Sequence, residues 1–254
     1  MLTLLLADAE LERIPQALTG HQQVVSSARR VGVNPARMLL DSSLHYAAMR
    51  SLEDGARRGR PDIVHLFLLT ALESPANKAG HLRVLVHTRG GELLRIDPST
   101  RLVRNYPRFC GLIQQLFDTG KVPHESPLLT LEKGWTPKDV VAKERPDRLI
   151  ILDETATSTP PWEIFSPADA GRHTLAIIGG FPSGTYRSAL PPGERIGLGP
   201  LALAVWTVAA ELVVNFERAA GILLGPEHTA RAAAEPTPAD AATASPREPS
   251  STPR

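Results

Sequence analysis

Cysteine is nearly absent from this chain of 254 residues: Cys110 stands alone. A single thiol excludes an internal disulfide framework and a four-thiolate metal site, and it fits a reducing compartment, so the expected location is cytoplasmic. A surplus of either charge is missing too. Lys+Arg number 28 against 27 for Asp+Glu, so the mean surface field is weak and any anion site must be local. Long apolar runs are lacking: LALAVWTVAAELVV, near the C-terminus, is too short and interrupted to span a bilayer, and no membrane association is expected. The opening MLTLLLADAE has no basic flank and soon meets acidic residues, so it reads as a first strand rather than a signal peptide. The eight histidines contain no H-E-x-x-H or other close ligand triad, so no metal is expected. Both common nucleotide fingerprints, G-x-G-x-x-G and G-K-[ST], are missing, as is any internal repeat.

What is present is an alternation of strands and helices. LTLLL predicts a strand, and residues 21–32, HQQVVSSARRVG, an amphipathic helix closed by Gly32. Asp41, Ser42 or Ser43 can cap a helix that stops near Gly55. Pro61 suits a first helical turn, which makes PDIVHLFLLTALES a mostly buried helix. LRVLVHT and GELLRID form a hairpin through Arg89-Gly90-Gly91. DRLIILDETA and HTLAIIGGFPSG each set a short apolar strand before a polar or glycine-rich loop. A third loop, around Gly197 to Pro200, leads into a long helix. This is α/β construction, in which ligands bind at the carboxyl ends of parallel strands. The folded part ends near Gly225. Residues 226–254, rich in proline, alanine and small polar residues, cannot fill a core and are expected to be disordered.

Two signals carry chemistry. IIGGFPSG, residues 177–184, offers backbone amides and close approach to a ligand, but no dedicated phosphate chemistry. The second signal is arginine: Arg57, Arg58 and Arg60 precede one helix, and Arg101, Arg104 and Arg108 another. Tyr106 precedes a proline and is biased toward extended backbone, so the second helix should start at Pro107 with Arg108 in its first turn. Guanidinium forks there suit phosphate oxygens, of RNA or of a phosphorylated metabolite equally. Asp62 with His65, and Asp41 with His45, have spacings open to acid–base couples, although a capping carboxylate beside a packed histidine explains each as well. Cys110, within FCGLIQQLF, reads as a core thiol.

Four segments, GRPDIVHLFLLTALESPANKAG (59–80), RLVRNYPRFCGLIQQLF (101–117), IIGGFPSGTY (177–186) and ERIGLGPLALA (194–204), together resemble the Nep1/Emg1 family. These are SPOUT-class methyltransferases acting on N1 of a pseudouridine in small-subunit ribosomal RNA. The similarity spans roughly residues 10–222, in the family's order. It implies a trefoil-knotted α/β domain over residues 1–225, with a hairpin and loop insertion around 81–105, working as a homodimer. It also implies S-adenosylmethionine as cofactor, small-subunit ribosomal RNA and ribosome-assembly proteins as partners, and a part in small-subunit biogenesis. By the resemblance the cofactor lies among Leu152, Asp153, Glu154 and Thr155; Ile178, Gly179, Gly180, Phe181 and Gly184; and Ile196, Gly197, Leu198 and Leu201. Arg60, Arg101, Arg104 and Arg108 would contact RNA, and Arg60 and Asp62 would stand beside the target base as the catalytic pair. The chain departs from the family's pattern in two places. Glu73 stands where the family commonly has Asp, and the third loop is shortened to Gly199-Pro200-Leu201-Ala202, with alanine for a frequent serine.

Rival readings are a related methyltransferase acting on another RNA position or a small C-nucleoside, a non-catalytic ribosome-assembly RNA binder, and a hydrolase built on Asp62 and His65. The glycine loop weighs against the binder, and the hydrolase lacks a placed nucleophile. The composition of the tail yields its own test: deleting residues 230–254 should leave oligomeric state and melting temperature nearly unchanged, as read by light scattering and thermal unfolding. Loss of folding on truncation would show that the tail packs on the domain.

Overall fold

Strand β1, Leu2–Ala9, is buried along its whole length, which is the signature of a central strand covered on both faces. In the computed structural model, which describes residues 1–223, β1 lies between two parallel neighbours, β2 (Leu82–Thr88) and β7 (Thr174–Gly179). Beyond β7 come β6 (Arg148–Leu152) and the short β8 (Glu194–Ile196), both parallel. Beyond β2 the sheet turns antiparallel through β3 (Glu92–Ile96), β5 (Leu129–Lys133) and β4 (Lys121–Val122). The eight described strands run in the order β4-β5-β3-β2-β1-β7-β6-β8.

Alternation along the strands divides the core. Leu4, Leu6, Val84, Val86, Ala176 and Ile178 face the helices α3 (Pro61–Leu72), α5 (Tyr106–Thr119) and α7 (Val205–Ala219), which contribute Phe67, Phe109 and Phe216. Leu5, Ala7, Leu85, Leu175 and Ile177 face the other way, against Val140 of α6 (Pro137–Glu144). Helices α1 (Gln22–Val31) and α2 (Ser42–Met49) close a smaller cluster around Val24, Leu40 and Met49. The buried Glu217 of α7 accepts a 2.8 Å bond from the amide of Ala76, satisfying the first turn of α4 (Pro75–Lys78).

Local chemistry explains the boundaries. Gly32 ends α1 in the left-handed region, with φ 68°. Asp41 caps α2 by accepting from the Ser43 amide at 2.8 Å. Helix α2 stops at Met49 rather than near Gly55, and the chain then coils through turns in which Gly55 lies against the Met49 carbonyl. Helix α5 begins at Tyr106, one residue before the expected Pro107, because Asn105 supplies the cap, accepting from the Arg108 amide at 3.1 Å. Elements β4, β5 and α6 were not expected. Strand β5 alternates weakly and ends exposed, so its pairing with β3 supplies the order that its sequence does not announce. The hairpin in the 81–105 region is continuous with the main sheet, since β2 is the neighbour of β1. No helix among the described residues is long and apolar enough to cross a membrane. The boundary at Gly225 and the tail of residues 226–254 lie outside the described residues.

Candidate functional site

The carboxyl ends of β6, β7 and β8 open into one cleft of about 760 Å³. Its walls include Leu152 to Thr155 after β6, Ile178, Gly179 and Phe181 to Tyr186 after β7, and Ile196 with Leu198 to Leu203 after β8. Every residue expected at the cofactor therefore lines this cleft except Gly180 and Gly197, which stand behind it. A Cβ on Gly180 would lie 2.6 Å from Cα of Ala9, and one on Gly197 would lie 2.7 Å from the Ala156 carbonyl oxygen. Their hydrogen is used for close packing of the loops, and other residues make the wall.

The loop after β7 is anchored from several sides. The Gly180 amide donates to Ala7 O at 2.7 Å, and Gly180 O accepts from the Glu10 amide at 3.0 Å. Further along, Asp8, at φ 53°, accepts from the amides of Arg187 and Ser188 at 2.7 and 2.9 Å and from the Ser188 hydroxyl at 2.6 Å. The Tyr186 hydroxyl donates to Leu152 O at 2.8 Å, which ties the second loop to the first, and burial pushes its phenol above the usual value. Asp8 and Tyr186 were not singled out from sequence. An acid inside the apolar LLLADAE was the available signal for the first.

On the same edge of the sheet, the Arg60 amide donates to Glu10 O at 2.8 Å, the carbonyl of the same residue whose amide bonds Gly180. The Arg60 guanidinium grips Asp62 with two bonds, Nε to Oδ1 at 2.8 Å and Nη2 to Oδ2 at 2.6 Å. This pair remains partly open to solvent, with side chains 26 % and 39 % exposed, which leaves room for a substrate or a water. Nearby, the Tyr106 hydroxyl donates to Asp41 at 2.6 Å, and burial with this bond drives its phenol strongly upward. Cys110 is half-buried, and burial above all pushes its thiol up to about 11.

The arginines separate into two populations. Arg57 and Arg58 turn inward, onto Glu10 and Glu12 at 2.6 and 2.7 Å, so neither is a free anion ligand as the cluster before α3 suggested. Arg101, Arg104 and Arg108 are exposed around the start of α5. Arg104 has only Glu73 at 4.0 Å, and the other two are in no ion pair among the described residues. Neither histidine couple forms. His65 Nε2 bonds to Val103 O at 2.8 Å, and its ring stacks on Phe109 at 4.4 Å, away from Asp62. His45 is fully buried, accepts from the Asp41 amide at 3.1 Å, and is held below the usual histidine range by burial. These contacts leave the hydrolase reading without a base.

Known proteins resemble this chain over most of its length. The model of the EMG1/NEP1 methyltransferase family matches residues 4–217. A ribosomal RNA small subunit methyltransferase Nep1 from Thermococcus onnurineus is 44 % identical over 217 residues, 85 % of this chain and 98 % of the relative. The protein of the same name from Methanothrix thermoacetophila is 42 % identical over 219 residues, 85 % of this chain and 96 % of the relative. A crystal structure of Archaeoglobus fulgidus Nep1 bound to S-adenosylhomocysteine superposes with a TM-score of 0.76 at 31 % identity, covering 86 % of this chain and 98 % of the other.

Gly180→Val should fail for a reason now specified: the branched side chain meets the backbone of β1. Ligand affinity at the cleft and thermal stability should fall together, read by calorimetry and thermal unfolding. Unchanged values in both would mean that the loop has another packing open to it.

Proposed function

This chain belongs to the EMG1/NEP1 methyltransferase family, and on that premise we propose that it methylates N1 of a pseudouridine in small-subunit ribosomal RNA. The family carries the broader activity, S-adenosylmethionine-dependent methylation of small-subunit ribosomal RNA: its relatives bear that enzyme name, and its structural neighbour holds the demethylated product. The observation that supports the finer reading is a juxtaposition. One cleft is formed by three strand-end loops, and the Arg60–Asp62 pair is joined to the glycine loop through Glu10, with exposed arginines around the start of α5.

The cleft residues fit the cofactor. Ile178, Phe181, Leu198 and Val205 offer apolar wall for a purine, while loop backbone and the polar chains of Thr155 and Ser183 serve the remainder. When bound, S-adenosylmethionine supplies a methyl carbon made electrophilic by its sulfonium. The protein's task is then alignment and proton management. In uridine N1 carries the sugar, whereas in pseudouridine the sugar is on C5 and N1–H is free. Loss of that proton leaves charge on the ring. Arg60, oriented by its two bonds to Asp62, is the group to stabilise it. Asp62 retains free lone pairs and partial exposure, which suits accepting the proton through a water. Arg101, Arg104 and Arg108 seat RNA phosphates, and the target base is extruded toward Arg60.

The same reading makes residues 1–225 one SPOUT-type domain, cytoplasmic and homodimeric, with ribosome-assembly proteins as neighbours. The exposed Leu66 of α3 and Val214 of α7 are apolar surface that a second copy would cover. Backbone bonds from Thr159 to Gly197 O and from Gly197 to Thr157 O lay the third loop along the first, an arrangement that the SPOUT-type reading accommodates.

The deciding experiment incubates a hairpin carrying one pseudouridine with S-adenosylmethionine and locates the product by base-resolved mass spectrometry. One methyl group on N1 is expected, with none on the uridine counterpart. Methyl on another nucleotide, or cofactor binding without turnover, would replace this reading with one of its rivals. For the arginines, Arg104→Ala should weaken matched and mismatched hairpins by similar factors and lower the salt slope of binding by about one unit or less, with cofactor affinity barely changed. A fixed slope with collapsed cofactor affinity would assign Arg104 to the cleft or the fold instead.

A further inference from the structure

Arg57 contacts three parts of the site at once. Its Nε donates to Glu10 Oε1 at 2.6 Å, its Nη1 donates to Thr185 O at 2.6 Å, and its guanidinium carbon stands 3.8 Å from the centroid of the Phe181 ring. Phe181 and Thr185 both line the cofactor cleft. Phe181 also meets Tyr186 in a perpendicular contact at a centroid distance of 5.4 Å, so the ring is held by two neighbours. Glu10 is fully buried and also receives Arg89 at 3.2 Å. Its backbone bonds Gly180 on one side and Arg60 on the other, at 3.0 and 2.8 Å.

We propose that Arg57 is a positioning residue: it fixes Phe181 as a wall of the cofactor cleft and, through Glu10, holds that wall in register with Arg60. This inference rests on the cofactor reading of the cleft given above. Arginine suits the task because a planar guanidinium sends separate N–H groups to a carboxylate and a carbonyl while laying its face on a ring. Lysine would keep the charge near Glu10 but lose the flat contact and the divided donors. The Arg89–Glu10 pair persists in such a variant, so Glu10 is not left alone in the interior.

The test compares wild type, Arg57→Lys, Phe181→Leu and the double variant, full-length, by calorimetric titration with S-adenosylhomocysteine and with an RNA hairpin, beside thermal unfolding without ligand. Arg57→Lys should weaken S-adenosylhomocysteine about tenfold, the size of a partly buried cation–π contact with its hydrogen bond. RNA affinity should stay within about twofold, because the arginines around α5 are untouched. Phe181→Leu leaves every ion pair in place and should weaken the same ligand. The double variant should then be no worse than the poorer single one, since both act through one contact. Steady-state kinetics should show the loss in KM for S-adenosylmethionine, with KM for RNA unchanged. Strictly additive losses, or equal losses for both ligands that follow melting temperature, would reduce Arg57 to a structural ion pair and overturn the inference. Wild-type affinity in Arg57→Lys would overturn it as well and leave the assigned function standing. A wild type that binds no S-adenosylhomocysteine would remove the cofactor reading, and this inference with it.

Discussion

Gly180 approaches the end of β1 so closely that a Cβ would sit 2.6 Å from Ala9 Cα, and most of the site's geometry depends on that approach. The parallel pairing of β1 with β7 brings the two chains out of the sheet side by side, and the glycine lets them remain in contact beyond it. Two backbone bonds, Gly180 to Ala7 and Glu10 to Gly180, then lock the loop. Because the carbonyl of Glu10 accepts from the Arg60 amide, the segment after β1 that holds the cleft's glycine loop also fixes the start of α3. The distance between the cleft wall and Arg60–Asp62 is thus set by peptide geometry, which is far stiffer than side-chain packing.

Electrostatics follow from what this edge must bury. Glu10 is taken fully out of water, and a buried carboxylate needs partners: removing one from such a pair costs about 3–5 kcal/mol. Arg57 and Arg89 are committed to it, and Arg89 with Arg187 also holds Asp54. Arginines around α5 have no such demand on them. The near-zero net charge is therefore a sum over unlike places, with closely paired ions behind the cleft and exposed guanidiniums beside α5. Arginine spacing in the sequence is the same kind of cluster in both places. What separates the two roles is the presence of a carboxylate across the fold, at Glu10 and Glu12, 46 or more positions away in the chain.

That separation marks how far the sequence could be read. Apolar runs and punctuation were enough for the parallel strands other than the short β8, for α3 with Pro61 at its start, and for the three loops, because each signal is local. The resemblance to a known family then supplied identities for the cleft residues that no periodicity contains. Illegible were β4, β5, β8 and α6, where order comes from pairing with β5, β3 and β6 and from packing under the sheet, and the inward turn of Arg57 and Arg58. Gly180 and Gly197 were legible as important but not as to why: a glycine needed against a ligand and one needed against another strand look alike until the neighbour is known.

The shortened third loop illustrates the difference between losing a side chain and losing a frame. Gly199 to Ala202 carries no long insertion, and Leu201 is 74 % exposed, so the loop itself packs little. Its root is nevertheless held by the backbone. Asp153 donates to Ile196 O at 2.9 Å, Gly197 to Thr157 O at 3.1 Å, and Thr159 to Gly197 O at 2.8 Å. These bonds do not depend on which residues stand at the tip. Ala202 brings no hydroxyl to the cleft, but the amides and carbonyls at the loop's root stay where the first loop puts them. Backbone groups therefore stay fixed at this wall, while polar side chains enter the cleft's lining from the other two loops, with Thr155 and Ser183 among them.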